Sequence, residues 1–288
     1  MFRADLASCA DAVQAHLDTY LVAMGDTHVV QAMRYTLQGG KRMRAFLVME
    51  SARLFDISNA QSIWPAAGIE TIHAYSLVHD DLPCMDDDDL RRGRPTVHKA
   101  WDEATAVLAG DALQTLGFEL TLAPQVGDAT VRAALALELA RASGAQGMVL
   151  GQALDIAAET AQTPLSLDQI ISLQQGKTGA LISYSARAGA IMAGADERPL
   201  ADYARAIGLA FQIADDILDI EGDPEKAGKR LNKDEQAGKA TFVSHLGLEG
   251  AKTRARDLVT KACDALAPYG ARAERLRDLA EFVISRDS

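Results

Sequence analysis

Apolar positions recur three and four residues apart along almost the whole chain, the spacing of one face of a helix. Leu6, Val13, Leu17 and Leu21 mark an amphipathic helix over about 4–24, and a short second helix covers 28–37. Gly39-Gly40 breaks the pattern, and Lys41-Arg42-Met43-Arg44 opens a third helix that reaches Leu54. Ile69, Ile72, His73, Ser76, Leu77 and Asp80 then repeat at helical spacing. Pro83 cannot continue that helix, which should end near Asp81. Arg91 to Pro95 reads as a loop, and an Ala- and Leu-rich helix follows over 97–121. Helices over 128–143 and 145–160 come next, with Gly144, Gly147 and Gly151 marking close packing or a break. Ser166-Leu167-Asp168-Gln169 is a capping-box pattern that opens a helix running through Lys177-Thr178-Gly179 to about Ile191. Arg198-Pro199 precedes a helix closed by Asp215-Asp216-Ile217-Leu218-Asp219 and stopped by Gly222 and Pro224. The polar stretch 223–239 reads as a surface loop, and amphipathic helices over 249–267 and 270–285 complete the pattern. Alternating strand patterns are absent. The expectation is one all-α domain over 1–288, a bundle of ten or more helices.

Composition sharpens this. Hydrophobic residues make up 48 % of the 288 residues, enough for a sizeable core, while aromatics are only 5 %, which favours helices over sheets. A formal net charge of −11 argues against nucleic-acid binding but leaves room for a phosphorylated ligand held by local basic groups. No apolar run is long enough to span a membrane. Met1 to Ala10 carries Asp5 and lacks the apolar centre of a secretory signal. Cys9, Cys84 and Cys263 have no metal-ligand spacing and read as reduced thiols of a cytoplasmic protein, Cys84 being a spacer rather than a nucleophile.

Charge changes the picture most at two places. Asp80, Asp81 and Asp86, and Asp215, Asp216 and Asp219, both fall at predicted helix C-termini. The helix dipole there favours cations, and neighbouring carboxylates repel each other. A bound multivalent cation offsets both costs, and carboxylate oxygens suit a hard ion such as Mg²⁺. Asp215 and Asp219 share a helix face, with Gln212 one turn earlier. Asp80 and Asp86 meet only if the chain bends at Pro83. Asp87 to Asp89 read as a solvated acidic surface, and His79 as structural.

With their basic companions these clusters form an ordered set: Gly39 to Arg44, His73 to Arg92, Lys177-Thr178-Gly179, Phe211-Gln212 with Asp215 to Asp219, and Lys229 with Lys239. The set resembles the short-chain trans-prenyl diphosphate synthases of the polyprenyl synthetase family, over nearly the whole chain from Gly39 onward. The resemblance implies a type I isoprenoid-synthase fold, with helices around a central cavity and the two Asp clusters facing each other across its mouth. It implies three Mg²⁺ (Mn²⁺ being an alternative) held by Asp80, Asp81, Asp86, Asp215 and Asp219, with Asp216 and Lys177 also catalytic. Arg91, Lys177, Thr178, Gln212, Lys229 and Lys239 would hold an allylic diphosphate; Lys41, Arg44, His73 and Arg92 would hold isopentenyl diphosphate. The implied chemistry is head-to-tail condensation: the allylic diphosphate ionises, the cation adds to the double bond of isopentenyl diphosphate, and a proton is lost to the released diphosphate.

Tyr75 and Ser76, with the Pro83-Cys84 insertion, resemble the pattern of members that stop at farnesyl diphosphate. Geranyl or geranylgeranyl diphosphate is the alternative product. A terpene cyclase or a non-catalytic synthase subunit fits less well, because the second cluster is Asp-rich and every charged ligand is kept. Ala45, Gly176 and Val243 depart from the family's commoner Pro, His and Pro and leave substrate detail open. The resemblance also implies a homodimer.

Overall fold

A computed structural model describes residues 2–159, 163–221 and 241–285. Helix α1 (Phe2–Val22) buries Leu6, Val13, Leu17 and Leu21, the four residues that marked its apolar face. Helix α2 (His28–Thr36) is capped by the Thr27 hydroxyl. Helices α3 (Met43–Arg53) and α4 (Asn59–Asp80) follow. The helix predicted over 97–121 is broken: α5 (Val97–Ala100) ends at Trp101, and Asp102 caps α6 (Glu103–Thr121) by accepting from the Thr105 N–H at 2.6 Å. Local capping chemistry overrides the continuous apolar pattern at that point. Helices α7 (Ala129–Ser143), α8 (Met148–Glu159) and α9 (Leu167–Gln174) come next, the last with the expected Ser166–Gln169 capping box. Helices α10 (Ala180–Ala193), α11 (Arg198–Glu221), α12 (Phe242–Leu246), α13 (Leu248–Ala265) and α14 (Glu274–Ser285) complete the described chain.

Two departures from the expected elements shape the site. The predicted loop after the first acidic cluster is a hairpin of two short strands, β1 (Leu90–Arg91) and β2 (Arg94–Pro95), paired antiparallel. The predicted continuous helix through Lys177 is interrupted by a π-helical turn at Gln175–Gly179, which joins α9 to α10. π-helical turns inside helices concentrate at functional sites.

The layers follow from which faces are apolar. Helix α4 packs on α3 and α6; α10 packs on α3, α7 and α11; α11 packs on α13. At the α4–α6 seam, Gly68 lies so near α6 that a Cβ there would stand 2.8 Å from the Gly117 carbonyl oxygen. Larger residues would force the two backbones apart. The buried apolar side chains form two clusters, one around α1, α4, α6 and α7 and one around α11, α13 and α14, and Cys9 touches both. Among the described residues no helix is long and apolar enough to cross a membrane.

Candidate active site

The first acidic bend closes as its sequence requires. Asp81 caps α4, and the Asp86 N–H returns to the Asp80 carbonyl oxygen at 2.8 Å. Pro83 sits in this bend, and two further turns of it end on the Leu82 carbonyl, from the Met85 N–H at 2.8 Å and the Asp87 N–H at 3.2 Å. Burial pushes the Asp80 carboxyl up to about 6, Lys177 and Arg91 pull it back, and Asp86 raises it further. Asp81 is buried and accepts from Arg91 Nε at 3.0 Å and from Arg91 Nη2. Arg91 also lies 3.6 Å from Asp88. Asp81 and Arg91, expected to serve metal and diphosphate directly, hold each other. Asp88, expected as solvated surface, belongs to the same charge group.

The hairpin is fixed from below. Tyr35 donates to the Pro95 carbonyl at 2.7 Å, its ring lies 3.8 Å from the Arg94 guanidinium carbon, and the Thr96 hydroxyl donates to the Asp88 carbonyl at 2.9 Å. Arg91 and Arg92 take different partners from this braced hairpin. Arg91 goes to Asp81. Arg92, in the left-handed backbone region, reaches the Gln38 carbonyl and packs against Gly40.

Lys41, Arg44, His73 and Arg92 line one cavity of about 350 Å³, with Leu47, Ile182, Ile207 and Phe211 as its apolar wall. The four residues expected to bind isopentenyl diphosphate therefore come together. The expected opening of α3 at Lys41 is corrected: α3 starts at Met43, and Arg42 takes a left-handed conformation at φ 51°. Glu70 enforces this strained backbone. Its carboxylate takes the Ala45 N–H at 2.9 Å and the Arg42 guanidinium at 3.4 Å, while Arg42 also reaches Gln14 at 2.9 Å. The carboxylate so used leaves Arg44 turned into the cavity, where its Nε is buried without a partner. Burial first, then the Arg44, Arg92, Arg42 and Arg91 charges, hold the His73 imidazole well below its usual range, so it is neutral.

On the far side, Lys177 in the π-helical turn donates to Asp155 Oδ2 of α8 at 2.6 Å. Its charge also reaches Asp80. Thr178 follows it in the same turn, half-buried. In α11, Gln212 and Asp219 are buried, and Asp215 lies close enough to Arg44 for the two charges to interact. Asp216 accepts the Phe242 N–H at 2.7 Å, so this carboxylate anchors the start of α12. Lys229 and Lys239 lie outside the described residues.

Tyr75 is buried between α4 and α6, its ring 5.8 Å from that of His79 and its hydroxyl facing Gln114 without completing a hydrogen bond. The Ser76 hydroxyl bonds back to the His73 carbonyl at 2.9 Å. Residues that sequence reasoning missed are Asp155, Glu70 and Tyr35. Asp155 had one signal, its position four residues after Gly151 and eight after Gly147.

Among the described residues no three side chains of metal-ligating type converge on one point. Each acidic pair could supply only part of an all-oxygen shell, and Mg²⁺ is commonly held by one or two carboxylates with water and phosphate oxygens completing the shell. The Asp80 carboxyl, buried beside Asp86, is a group that a cation would relieve. The donor chemistry therefore fits a hard divalent ion.

Fold and site together define a class: a mainly helical protein with a basic, partly apolar cavity and with acidic clusters at the ends of α4 and α11. The polyprenyl synthetase family model matches residues 26–270. Farnesyl diphosphate synthase of Escherichia coli is 46 % identical over 299 aligned residues, covering 99 % of each chain. A crystal structure of an FPP/GFPP synthase from Zymomonas mobilis superposes with a TM-score of 0.88 at 45 % identity, covering 97 % of this chain and 99 % of that one. A geranyltransferase from Legionella pneumophila reaches 0.87 at 31 % identity, covering 99 % of this chain and 98 % of that one. The chain belongs to the polyprenyl synthetase family.

Proposed function

We propose that this chain condenses isopentenyl diphosphate with dimethylallyl and then geranyl diphosphate, releasing diphosphate and giving mainly (2E,6E)-farnesyl diphosphate. The observation that carries the reading is the convergence of Lys41, Arg44, His73 and Arg92 on one cavity with an apolar wall, with Asp215 near enough to Arg44 for their charges to interact. That combination suits a ligand with a multiply charged head and a short apolar tail.

The residues divide the work. Arg44 and Arg92 offer planar paired donors to the diphosphate of isopentenyl diphosphate, and Lys41 a point charge. Neutral His73 offers one ring N–H. Lys177 and Thr178, with Gln212 across from them and Lys229 and Lys239 from the chain after α11, take the allylic diphosphate. Asp80, Asp86, Asp215 and Asp219 would hold the Mg²⁺ ions, three on the family pattern, with Asp81 and Arg91 exchanging partners as the site fills. When bound, Mg²⁺ supplies charge stabilisation for the departing diphosphate. The ammonium of Lys177, held by Asp155, adds to it from a fixed position, the kind of preorganised term that dominates such reactions, and the Arg91 guanidinium adds once it leaves Asp81. Holding both substrates side by side accounts for ~7–11 kcal/mol of the barrier. The apolar wall keeps water from the allylic cation.

The chain acts as one catalytic domain over 1–288, in the cytoplasm, where its three thiols are free. It pairs as a homodimer, the assembly that the family resemblance implies. A second reading concerns product length, because the Zymomonas relative is titled for two products.

The test is product analysis with Mg²⁺, labelled isopentenyl diphosphate and dimethylallyl diphosphate. Mainly farnesol after dephosphorylation is expected, and no turnover from Asp80→Ala or Asp215→Ala, with circular dichroism unchanged. Near-normal activity in either variant would overturn the metal assignment, and geranylgeraniol from the native protein would overturn the product.

A further inference from the structure

Helix α8 is inside out. Leu154 and Ile156 are 41 % and 42 % exposed, while the Asp155 side chain between them is only 14 % exposed. A helix arranged for stability alone buries the leucine and isoleucine and solvates the aspartate. Past Met148, which packs in the core, the inward face of α8 carries Gly151, Gln152 and Asp155 instead. Gly151 lets the helix approach the π-helical turn so closely that a Cβ there would stand 2.0 Å from the Lys177 backbone nitrogen. Both amide atoms of Gln152 are buried without a partner. At the end of this face the Asp155 carboxylate meets Lys177 at 2.6 Å.

We propose that Asp155 is a positioning residue for Lys177, and that the inward face of α8 exists to aim this ammonium at the allylic diphosphate. The inference rests on the reading of the site given above. Lysine carries four rotatable carbons and a compact charge, so an unrestrained Lys177 samples many directions. One of its three N–H donors is fixed by Asp155, which leaves two for an oxygen ligand in front. The Asp80 carboxyl already feels this charge, so the ammonium held by Asp155 lies within electrostatic range of the first acidic bend. An ordinary surface ion pair does not need an aspartate turned inward between two exposed apolar residues, nor a glycine whose place no larger residue can take.

The test is steady-state kinetics on Asp155→Asn, Asp155→Glu, Lys177→Ala and the double variant Asp155→Asn/Lys177→Ala, with each substrate varied in turn. Asp155→Asn is expected to lower kcat/KM for the allylic diphosphate by roughly 10–100-fold, the usual loss when the partner of a ligand-holding group is removed. The KM for isopentenyl diphosphate stays unchanged. Asp155→Glu, which keeps the charge, recovers part of the loss. In the Lys177→Ala background Asp155→Asn adds no further loss, because its effect runs through the lysine. Equal losses toward both substrates, additivity with Lys177→Ala, or an Asp155→Asn protein as active as the native one would overturn the proposal. If Asp155→Asn does not fold, the charge-keeping Asp155→Glu decides: recovery of only part of kcat/KM with KM for isopentenyl diphosphate intact supports it, and equal loss toward both substrates overturns it. A native protein that turns over neither substrate would instead overturn the functional reading.

Discussion

Tyr75 stands one and a half turns before Asp80, ~7.5 Å below it along a helix that rises 1.5 Å per residue. Its ring fills space between α4 and α6, and its hydroxyl gains no hydrogen bond there. A bulky side chain kept at such a point without a polar partner acts by volume. Replacing it with Ala should lengthen the product, with geranylgeranyl or longer chains rising at the expense of farnesyl in the product analysis. A truncation of this size costs ~3–5 kcal/mol of stability in a tightly packed core, so melting temperature is measured alongside. An unchanged product with a lower melting temperature would return Tyr75 to ordinary core. At this scale the sequence was legible wherever charge type carried the signal: Lys41, Arg44, His73 and Arg92 all reached one cavity. It was not legible at Glu70 or Asp155, because a single acidic residue on a helix looks the same whether it faces water or a buried cation.

Among elements, the π-helical turn at Gln175–Gly179 matters most. It shifts the register between α9 and α10 and brings Lys177 against Asp155 of α8. Periodicity over 167–191 cannot show it, because one widened turn leaves the apolar stripe nearly intact on both sides. The hairpin at Leu90–Pro95 escaped for a related reason: two paired residues per strand are too few to alternate. The turn is backed by Gly151, so Gly151→Ala should push Lys177 out of line. The expected outcome is at least a tenfold loss of kcat/KM for the allylic diphosphate and a loss of ~1–3 kcal/mol in chemical denaturation, the usual cost of overpacking. Activity and stability both at native levels would mean the seam is looser than the structure shows.

The whole molecule is assembled with acidic groups gathered where helices end, and this has a thermal signature. The Asp80 carboxyl is raised to about 6, above its value of 3.8 in an unfolded chain. The folded state therefore holds that proton more tightly. The stability this gives is fully present below pH 4 and is lost as pH rises through 6. A divalent cation at the same place acts in the opposite direction, because it binds the ionised form. Mg²⁺ should raise the melting temperature more at pH 7.5 than at pH 5, and chelation should reverse the gain. An equal rise at both values would remove Asp80 from the metal site. The helical architecture behind this was legible in its main elements, where apolar spacing, glycine breaks and caps agreed. The breaks within it, at Trp101 and in the π-helical turn, depended on contacts between distant segments.

The neutral imidazole of His73 has one more effect. It sits among four arginine side chains that, together with burial, keep a proton off it. The diphosphate head group proposed for that cavity would offset part of this positive field, while burial goes on disfavouring the charged ring. His73 would then meet its ligand as a neutral donor, and the positive charge of the cavity stays with its arginines and Lys41.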